Sequence, residues 1–332
     1  MSHTDSTASA VHLISAVIPV YQGEKTLPSL LEELLPLTHI QHTKHHHRFQ
    51  ITEIILVHDC GPDASDTVIQ KLATKHSCVR PVWLSRNFGQ HPATLAGMSC
   101  STGQWVVTMD EDGQQDPADI AAMLDTAMTD CSQLVYGKPT NAPPHGFVRN
   151  SLSKGSKFVA RYLLGSAAAG SFNSFRFIDG EIARSLAAYC GNSVYLDVAL
   201  FWVVAKASHC PVTLRQEMDR PSGYSLQKLI RHFLRLVLTA GTRPLRIIAA
   251  LGMLSMFLAI LLTIYALYVK FALQVPVQGW ASIVIVVSFF SGCILFSLGI
   301  IAEYLAVALT IMMGKPLYLI ASKPRRHPHT RS

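Results

Sequence analysis

Three consecutive acids, Asp110-Glu111-Asp112, carry the most explicit chemistry in this sequence. They close a β-branched run, so the chain there is extended and its side chains alternate, with Asp110 and Asp112 pointing one way and Glu111 the other. Two carboxylates on one side of a strand end suit a hard divalent cation, Mg2+ or Mn2+, which keeps several waters and shares its remaining positions with substrate phosphates. Gln114, two residues further on, is spaced to supply a carbonyl oxygen or to orient a metal-bound water. Acidic turns are common, so the pattern gains weight only from its place in a fold.

The elements that must position these acids are legible from the spacing of apolar residues. Short β-branched runs at 13–20, 51–58, 79–84, 105–109 and 133–136 alternate with helical patterns at 26–37, 64–76, 90–101 and 117–128. Such alternation predicts an α/β domain with a mostly parallel sheet, helices on both faces, and a ligand site beyond the carboxyl ends of the strands. Polar groups and turn formers cluster at those ends: Pro19-Val-Tyr-Gln-Gly-Glu24, Asp59-Cys-Gly-Pro-Asp63, Ser85-Arg-Asn-Phe-Gly-Gln90 and Asp110-Glu-Asp-Gly-Gln114. The run KHHHR at 44–48 reads as a solvated connection rather than a metal site, because neighbouring histidines in a polar loop are usually just that.

Composition adds a second theme. Of 332 residues, 49% are hydrophobic and only 15% charged, against roughly 25% charged in a soluble domain. With a formal net charge of +7 this excludes an acidic disordered chain. The apolar excess is local: residues 247–269 contain no charge, and a second run from 271 to 302 follows, opening on the turn-like QVPVQG. At ~1.5 Å per residue each run can cross a ~30 Å hydrocarbon core. Two transmembrane helices are expected, at 245–270 and 280–312. Arg231, Arg235, Arg243 and Arg246 precede them, Lys315, Lys323, Arg325, Arg326 and Arg331 follow, and the intervening loop has only Lys270. The positive-inside rule then places both termini in the cytoplasm, making this a multi-pass protein of the cell (inner) membrane. Residues 225–243 form an amphipathic helix that gathers Lys228, Arg231, His232 and Arg235 on one side, suited to the membrane interface. The basic tail at 313–332 puts much of the positive charge beside the membrane, which argues against nucleic acid as a partner. The polar start, 1–12, is expected to be disordered, and 11–20 is too short for a signal peptide. Seven cysteines without a C-x-x-C pair fit a reducing compartment.

From residue 13 to about 225 the chain resembles a family 2 glycosyltransferase domain, carried by VIPVYQGE, EIILVHDCGPDASD, LSRNFGQHPATLAGM and GQWVVTMDEDGQQDP in that order. The two spans and GIIAEYLAVALTIMMGKPLYLI resemble the membrane-anchored polyprenyl-phosphate glycosyltransferases of the dolichol-phosphate mannosyltransferase-like and undecaprenyl-phosphate groups. The resemblance implies a GT-A fold over 13–224 and inverting transfer of a hexose or related sugar from a nucleotide sugar, UDP-sugar favoured, to polyprenyl phosphate at the cytoplasmic membrane face, for cell-envelope glycan modification. It places the nucleotide at Pro19, Tyr21, Glu24, Asp59, Arg86 and Asp110, and the metal and diphosphate at Asp112, helped by Asp110 and Gln114. Ser174-Phe-Arg176 matches the family's G-F-R segment, and the stretch from Arg220 to Lys228 matches its R-x-x-G-x-S segment. Gln22-Gly23, His58 and Cys60 depart from the usual residues beside these contacts.

Chemistry orders these roles. A phosphate monoester acceptor is already anionic, so no general base is needed. Catalysis then rests on a cation at Asp112 and on arginines gripping the acceptor phosphate, with Arg176 first and Arg149 and Arg220 behind it. Asp197 lies about where other family 2 enzymes carry a base and is expected to be structural here. The resemblance also implies a homo-oligomer packed through the spans. Two alternatives stand beside this reading: a processive polysaccharide synthase, for which the chain lacks the extra spans and the Q-x-x-R-W-type motif, and a non-catalytic nucleotide-sugar-binding membrane scaffold, against which the D-x-D argues.

Overall fold

The computed structural model describes residues 10–141, 172–191, 195–215, 279–314 and 316–324, with scattered positions between 250 and 268. The helix expected at 225–243 lies outside the described residues, as does much of the span at 245–270; the described positions there are helical.

The element order is β1 (Val11–Val20), α1 (Leu27–Leu34), β2 (Gln41–His42), β3 (Arg48–His58), α2 (Ser65–Lys75), β4 (Val79–Leu84), α3 (Gln90–Ser99), β5 (Trp105–Thr108), α4 (Asp119–Asp130), β6 (Leu134–Pro139), β7 (Arg176–Asp179), α5 (Gly180–Tyr189), α6 (Leu196–Val203), β8 (Ala207–Val212), α7 (Trp280–Met312) and β9 (Ile320–Ala321). Among the described residues all strands join one sheet in the order β8-β6-β7-β5-β1-β3-β4-β9, with β2 on β3. Its centre, β4-β3-β1-β5, is parallel, so four strands end on one edge.

Outside that centre the expectation of a mostly parallel sheet is corrected: the sheet is mixed. β7 runs antiparallel to both β5 and β6, and β2 and β9 are also antiparallel to their partners. β7 is only four residues long, too short to show a period of two, so its direction left no mark on the sequence pattern.

Alternation along the strands sends side chains into two cores. Ile14, Ala16, Ile18 and Val20 of β1 face α1, α2 and α4, joining Leu30, Leu34, Ile69, Ile120 and Leu124. Val17 faces the other way, with Ile55 and Val57 of β3, and packs under Leu95, Ala96, Leu186 and Leu200 of α3, α5 and α6. Between Ile14 and Ser15 the β1–β3 register shifts, because Thr52 is an extra residue on β3. The bulge exchanges the faces of β3: Phe49 and Ile51 share a core with Ile54 and Leu56. Glu53, next to it, is buried; burial would push its carboxyl up, but hydrogen bonds from Ser15 (2.6 Å), Thr102 (2.6 and 2.8 Å) and Arg80 hold it below its ordinary value. α3 lies close against the sheet at Gly97, where a Cβ would meet Val17 at 2.3 Å and Val57 at 2.9 Å.

α7 is different in kind. It is 33 residues long, and Ile294, Leu295 and Phe296 are 60%, 69% and 66% exposed. Within it, residues 289–306 are long and apolar enough to cross a membrane, the one such helix among the described residues.

Candidate active site at the carboxyl edge of the sheet

Four loops leave the parallel strands on the same edge, and each is tied to the next. Glu24 after β1 receives the N–H of Ala64 (3.2 Å), while its own N–H donates to Asp63 (3.0 Å) and Gly23 donates to Ser65 Oγ (2.8 Å). The loop after β3 holds the loop after β4 through Asp59, whose two carboxylate oxygens accept the N–H groups of Phe88 (2.7 Å) and Gly89 (2.8 Å). Gln90, at the start of α3, donates to Asp110 Oδ1 after β5 (2.6 Å). Glu111 completes the ring by accepting the backbone N–H groups of Tyr21 and Gln22, both at 3.0 Å. The result is a closed circuit of hydrogen bonds around one cleft, whose rim is preorganised before any ligand arrives.

Close backbone approach makes the ring possible. At Gly61 a Cβ would lie 1.5 Å from the carbonyl oxygen of Tyr21, so only glycine lets the loops after β1 and β3 meet.

Inside the ring the two acids of the D-x-D stand in different surroundings. Asp110 is the more enclosed: Gln90 holds Oδ1, while Oδ2 takes Gln115 Nε2 (3.1 Å) and the Ser174 hydroxyl. Burial first, opposed by the Ser174 hydrogen bond and reinforced by the charge of Asp112, pushes its carboxyl up to about 6. Asp112 is half-buried; its Oδ1 accepts the N–H of Gln114 (3.0 Å), and among the described residues Oδ2 has no protein partner. A cation that takes one or two carboxylate oxygens and fills the rest of its shell with water and phosphate fits this donor set. Among the described residues no three His, Cys, Asp or Glu side chains converge to hold a metal without such help.

Gln114 does not extend the pair as its spacing suggested. β5 ends at Thr108, Glu111 and Asp112 stand in a turn, and Gly113 follows at φ +72°, so the strand-like alternation that the spacing assumed is absent here. Gln114 instead engages through its backbone, to Asp112 and to the Arg215 N–H (2.9 Å). Its neighbour Gln115 is the buried side chain that reaches Asp110, both through Nε2 and by accepting the Asp110 N–H at Oε1 (2.9 Å). Asp63, Gln90 and Ser174 stood in the strand-end clusters and the Ser174-Phe-Arg176 match without a role assigned to them, and Gln115 was not singled out at all.

Of the residues expected at the nucleotide, Tyr21 is 39% exposed on the rim and Pro19 half-buried at the end of β1. Glu24 and Asp59 have carboxylates engaged in holding the loops. The guanidinium of exposed Arg86 stacks 4.2 Å over the Phe88 ring and, with the Phe88 and Gly89 N–H groups, opposes the burial that pushes Asp59 up to about 6. His91, next to Gln90 on α3, packs on Tyr195 with ring centroids 4.5 Å apart, and the Phe172 ring lies 6.5 Å from that of Tyr195.

Arg176 requires correction. Rather than reaching an acceptor phosphate, it is 3% exposed within β7, and its guanidinium forms a bidentate ion pair with Asp197, Nε to Oδ1 at 2.6 Å and Nη2 to Oδ2 at 2.8 Å. Nη1 turns to the Ser174 carbonyl (3.2 Å), and the Tyr136 hydroxyl also donates to Asp197 (3.0 Å). The Nε, Nη1 and Nη2 of Arg176 are thus all engaged by protein oxygens. From the Ser174-Phe-Arg176 motif it is Ser174 that touches the site. Arg149 and Arg220 lie outside the described residues.

Fold and rim together define a GT-A-like α/β transferase domain. Residues 15–184 match glycosyl transferase family 2, and the chain belongs to that family of glycosyltransferases. A bactoprenol glucosyl transferase of Shigella phage SfX is 22% identical over 310 residues, 93% of this chain and 99% of its own. An undecaprenyl-phosphate 4-deoxy-4-formamido-L-arabinose transferase of Enterobacter sp. (strain 638) is 27% identical over 316 residues, 94% and 93% of the two chains. Among solved structures, S. aureus TarS 1-349 with UDP-GlcNAc aligns with a TM-score of 0.48 at 14% identity, over 69% of this chain and 66% of that one.

Proposed function

We propose that this glycosyltransferase moves a hexose or related sugar, with inversion, from a nucleotide sugar, UDP-sugar favoured, to polyprenyl phosphate at the cytoplasmic face of the inner membrane, where the product serves cell-envelope glycan modification. The observation that carries the reading is an Asp112 Oδ2 that has no protein partner among the described residues, beside an enclosed Asp110 and inside a ring of strand-end loops. Relatives aligned over more than nine-tenths of this chain are named for polyprenyl acceptors, and α7 supplies an apolar helix able to hold the chain at a bilayer.

In this mechanism the rim binds the nucleotide between Tyr21 and Arg86. Asp112 would hold Mg2+ or Mn2+, which when bound neutralises charge on the departing diphosphate. Gln90, Gln115 and Ser174 keep Asp110 oriented toward the same cleft. The acceptor phosphate is its own nucleophile, so no side chain need take a proton from it. Arg149 and Arg220 are the proposed phosphate clamp. Because the polyprenyl tail stays in the bilayer, the membrane segments confine the reaction to the headgroup plane. Both termini are cytoplasmic in this scheme, and the protein is a homo-oligomer packed through its spans.

Full-length protein in membranes, supplied with undecaprenyl phosphate and a panel of radiolabelled nucleotide sugars, tests the reading. At least one sugar should pass to lipid in the wild type. Asp112→Asn should lower that transfer by about 100-fold or more, the scale of lost electrostatic stabilisation, at unchanged expression. Undiminished transfer by Asp112→Asn would overturn the metal role, and no lipid product from any donor would overturn the acceptor.

A further inference from the structure

The segment that follows α7 does not trail into solvent. β9 pairs antiparallel with the outer edge of β4, Ile320 opposite Leu84 and Ala321 opposite Trp83. The Ser85 N–H donates to the Leu319 carbonyl (2.9 Å). Leu317 and Tyr318 pack against the core under α3, and Ala321 against the opposite core. The chain therefore grips both faces of the sheet edge.

Direction makes this contact informative. With Ile320 opposite Leu84, the chain arrives at the carboxyl end of β4, where the loop with Arg86 begins, and runs down toward Trp83. The membrane-type helix thus returns to the site edge of the sheet, not to the opposite one. Between the end of α7 at Met312 and the start of β9 at Ile320 stand seven residues, among them Gly314 at φ +61° and Pro316. Fully extended, a link of that length spans at most about 25 Å, and the turn at Gly314 shortens it. Ser85, where the loop at residues 85–90 begins and which is bonded to Leu319, is thereby kept within about that distance of the end of α7.

We propose that residues 316–321 are a positioning strap that fixes the donor loop, residues 85–90, at a set height above the bilayer, so that the cleft faces the headgroup plane. The proposal rests on the membrane-bound reading above and adds the element that sets the distance. Ser85 is the joint: one neighbour carries Arg86 to the rim, and its own N–H is held by the strap. Loops tied only to one another would keep their ring intact at any height; the strap ties that ring to α7.

The test uses full-length protein in lipid nanodiscs, with a fluorescent non-natural amino acid in place of exposed Asn87 and an acceptor dye on the headgroups. Energy transfer should report a short separation, within the reach of the link. A six-residue Gly-Ser insertion after Gly314, which leaves β9 intact, should lower that energy transfer clearly and reduce sugar transfer to undecaprenyl phosphate about tenfold, with UDP binding within twofold of wild type. Hydrogen-bonded pairs alternate along an antiparallel ladder, so the Ser85–Leu319 bond makes Ala321, opposite Trp83, the next residue whose N–H faces β4; Ala321→Pro, which removes that N–H, should lower the energy transfer as well. Unchanged energy transfer in the insertion variant overturns the proposal, whatever the activity. Lost height control with no lipid product even in the wild type would sustain the strap and refute the acceptor reading, so the two failures are distinct.

Discussion

Arg176 and Asp112 illustrate how one residue type can lose or keep a chemical role according to what surrounds it. Arg176 sits with Asp197 in a dry interior, and removing one member of such a pair typically costs about 3–5 kcal/mol because the other charge stays buried. Arg176→Ala should therefore lower thermal stability sharply in detergent, and Arg176→Lys should recover only part of it, since an ammonium cannot bridge both carboxylate oxygens. If Arg176→Ala left the melting temperature unmoved and raised only the lipid KM, the structural assignment would be wrong. Asp59 gives a pH signature. Its folded carboxyl is pushed up to about 6, chiefly by burial, against about 3.9 in an unfolded chain. A raised folded value means a contribution to stability that is complete below about pH 3.9 and lost as pH rises through 6, worth up to about 3 kcal/mol. The stability difference between wild type and Asp59→Asn, followed by denaturant unfolding from pH 4 to 7, should shift in favour of wild type on acidification; a flat difference would contradict the burial argument.

Elements hold these residues through a few close contacts. α3 carries Gln90 to Asp110 and presses Gly97 against β1 and β3, so Gly97→Ala must displace Val17 or Val57 and should cost about 1–3 kcal/mol. Misplacing α3 should also weaken UDP binding, because Phe88 and Gly89 precede it; titration of UDP into the folded variant checks this. The loop after β8 acts from the other side. Arg215 bridges Glu33 of α1 and Asp116 of the acidic loop, each at 2.7 Å, and its N–H holds Gln114. These are exposed pairs, worth little to stability. Arg215→Ala should accordingly leave the melting temperature within about 2 °C while raising the Mn2+ concentration needed for half-maximal transfer, as the acidic loop loses an anchor.

At the scale of the whole molecule, a GT-A-like domain of ordinary core construction is joined to a helix whose large apolar side chains face outward. Burying those side chains in lipid is worth about 1.5–3 kcal/mol each, far more than any surface ion pair of the catalytic domain. Alkaline carbonate washing, which strips peripheral proteins, should leave the chain in the membrane pellet. Recovery in the supernatant would mean that α7 is covered by protein instead.

Much of this was legible in linear order. Apolar spacing marks β1, β3 and β4 and the helices between them, because each is long enough for its period to repeat; β5, four residues long, is marked instead by its β-branched Val106, Val107 and Thr108, and polar clusters follow all four strands. The extended geometry expected of Asp110-Glu111-Asp112 is not what forms: β5 ends at Thr108, Glu111 and Asp112 stand in a turn, and Glu111 reaches the backbone of Tyr21 and Gln22. What no spacing could settle was which polar group meets which. The turn at Glu111 and Asp112 replaces the expected alternation and brings Gln115 rather than Gln114 to Asp110; β7, too short to have a period, carries Arg176 into the sheet toward Asp197. β9, only two residues long, becomes a strand because β4 offers an unpaired edge. Local periodicity is written in neighbours along the chain, whereas pairing across 21 residues from Arg176 to Asp197, or 64 from Asp110 to Ser174, exists only after the backbone has folded and desolvated both partners together.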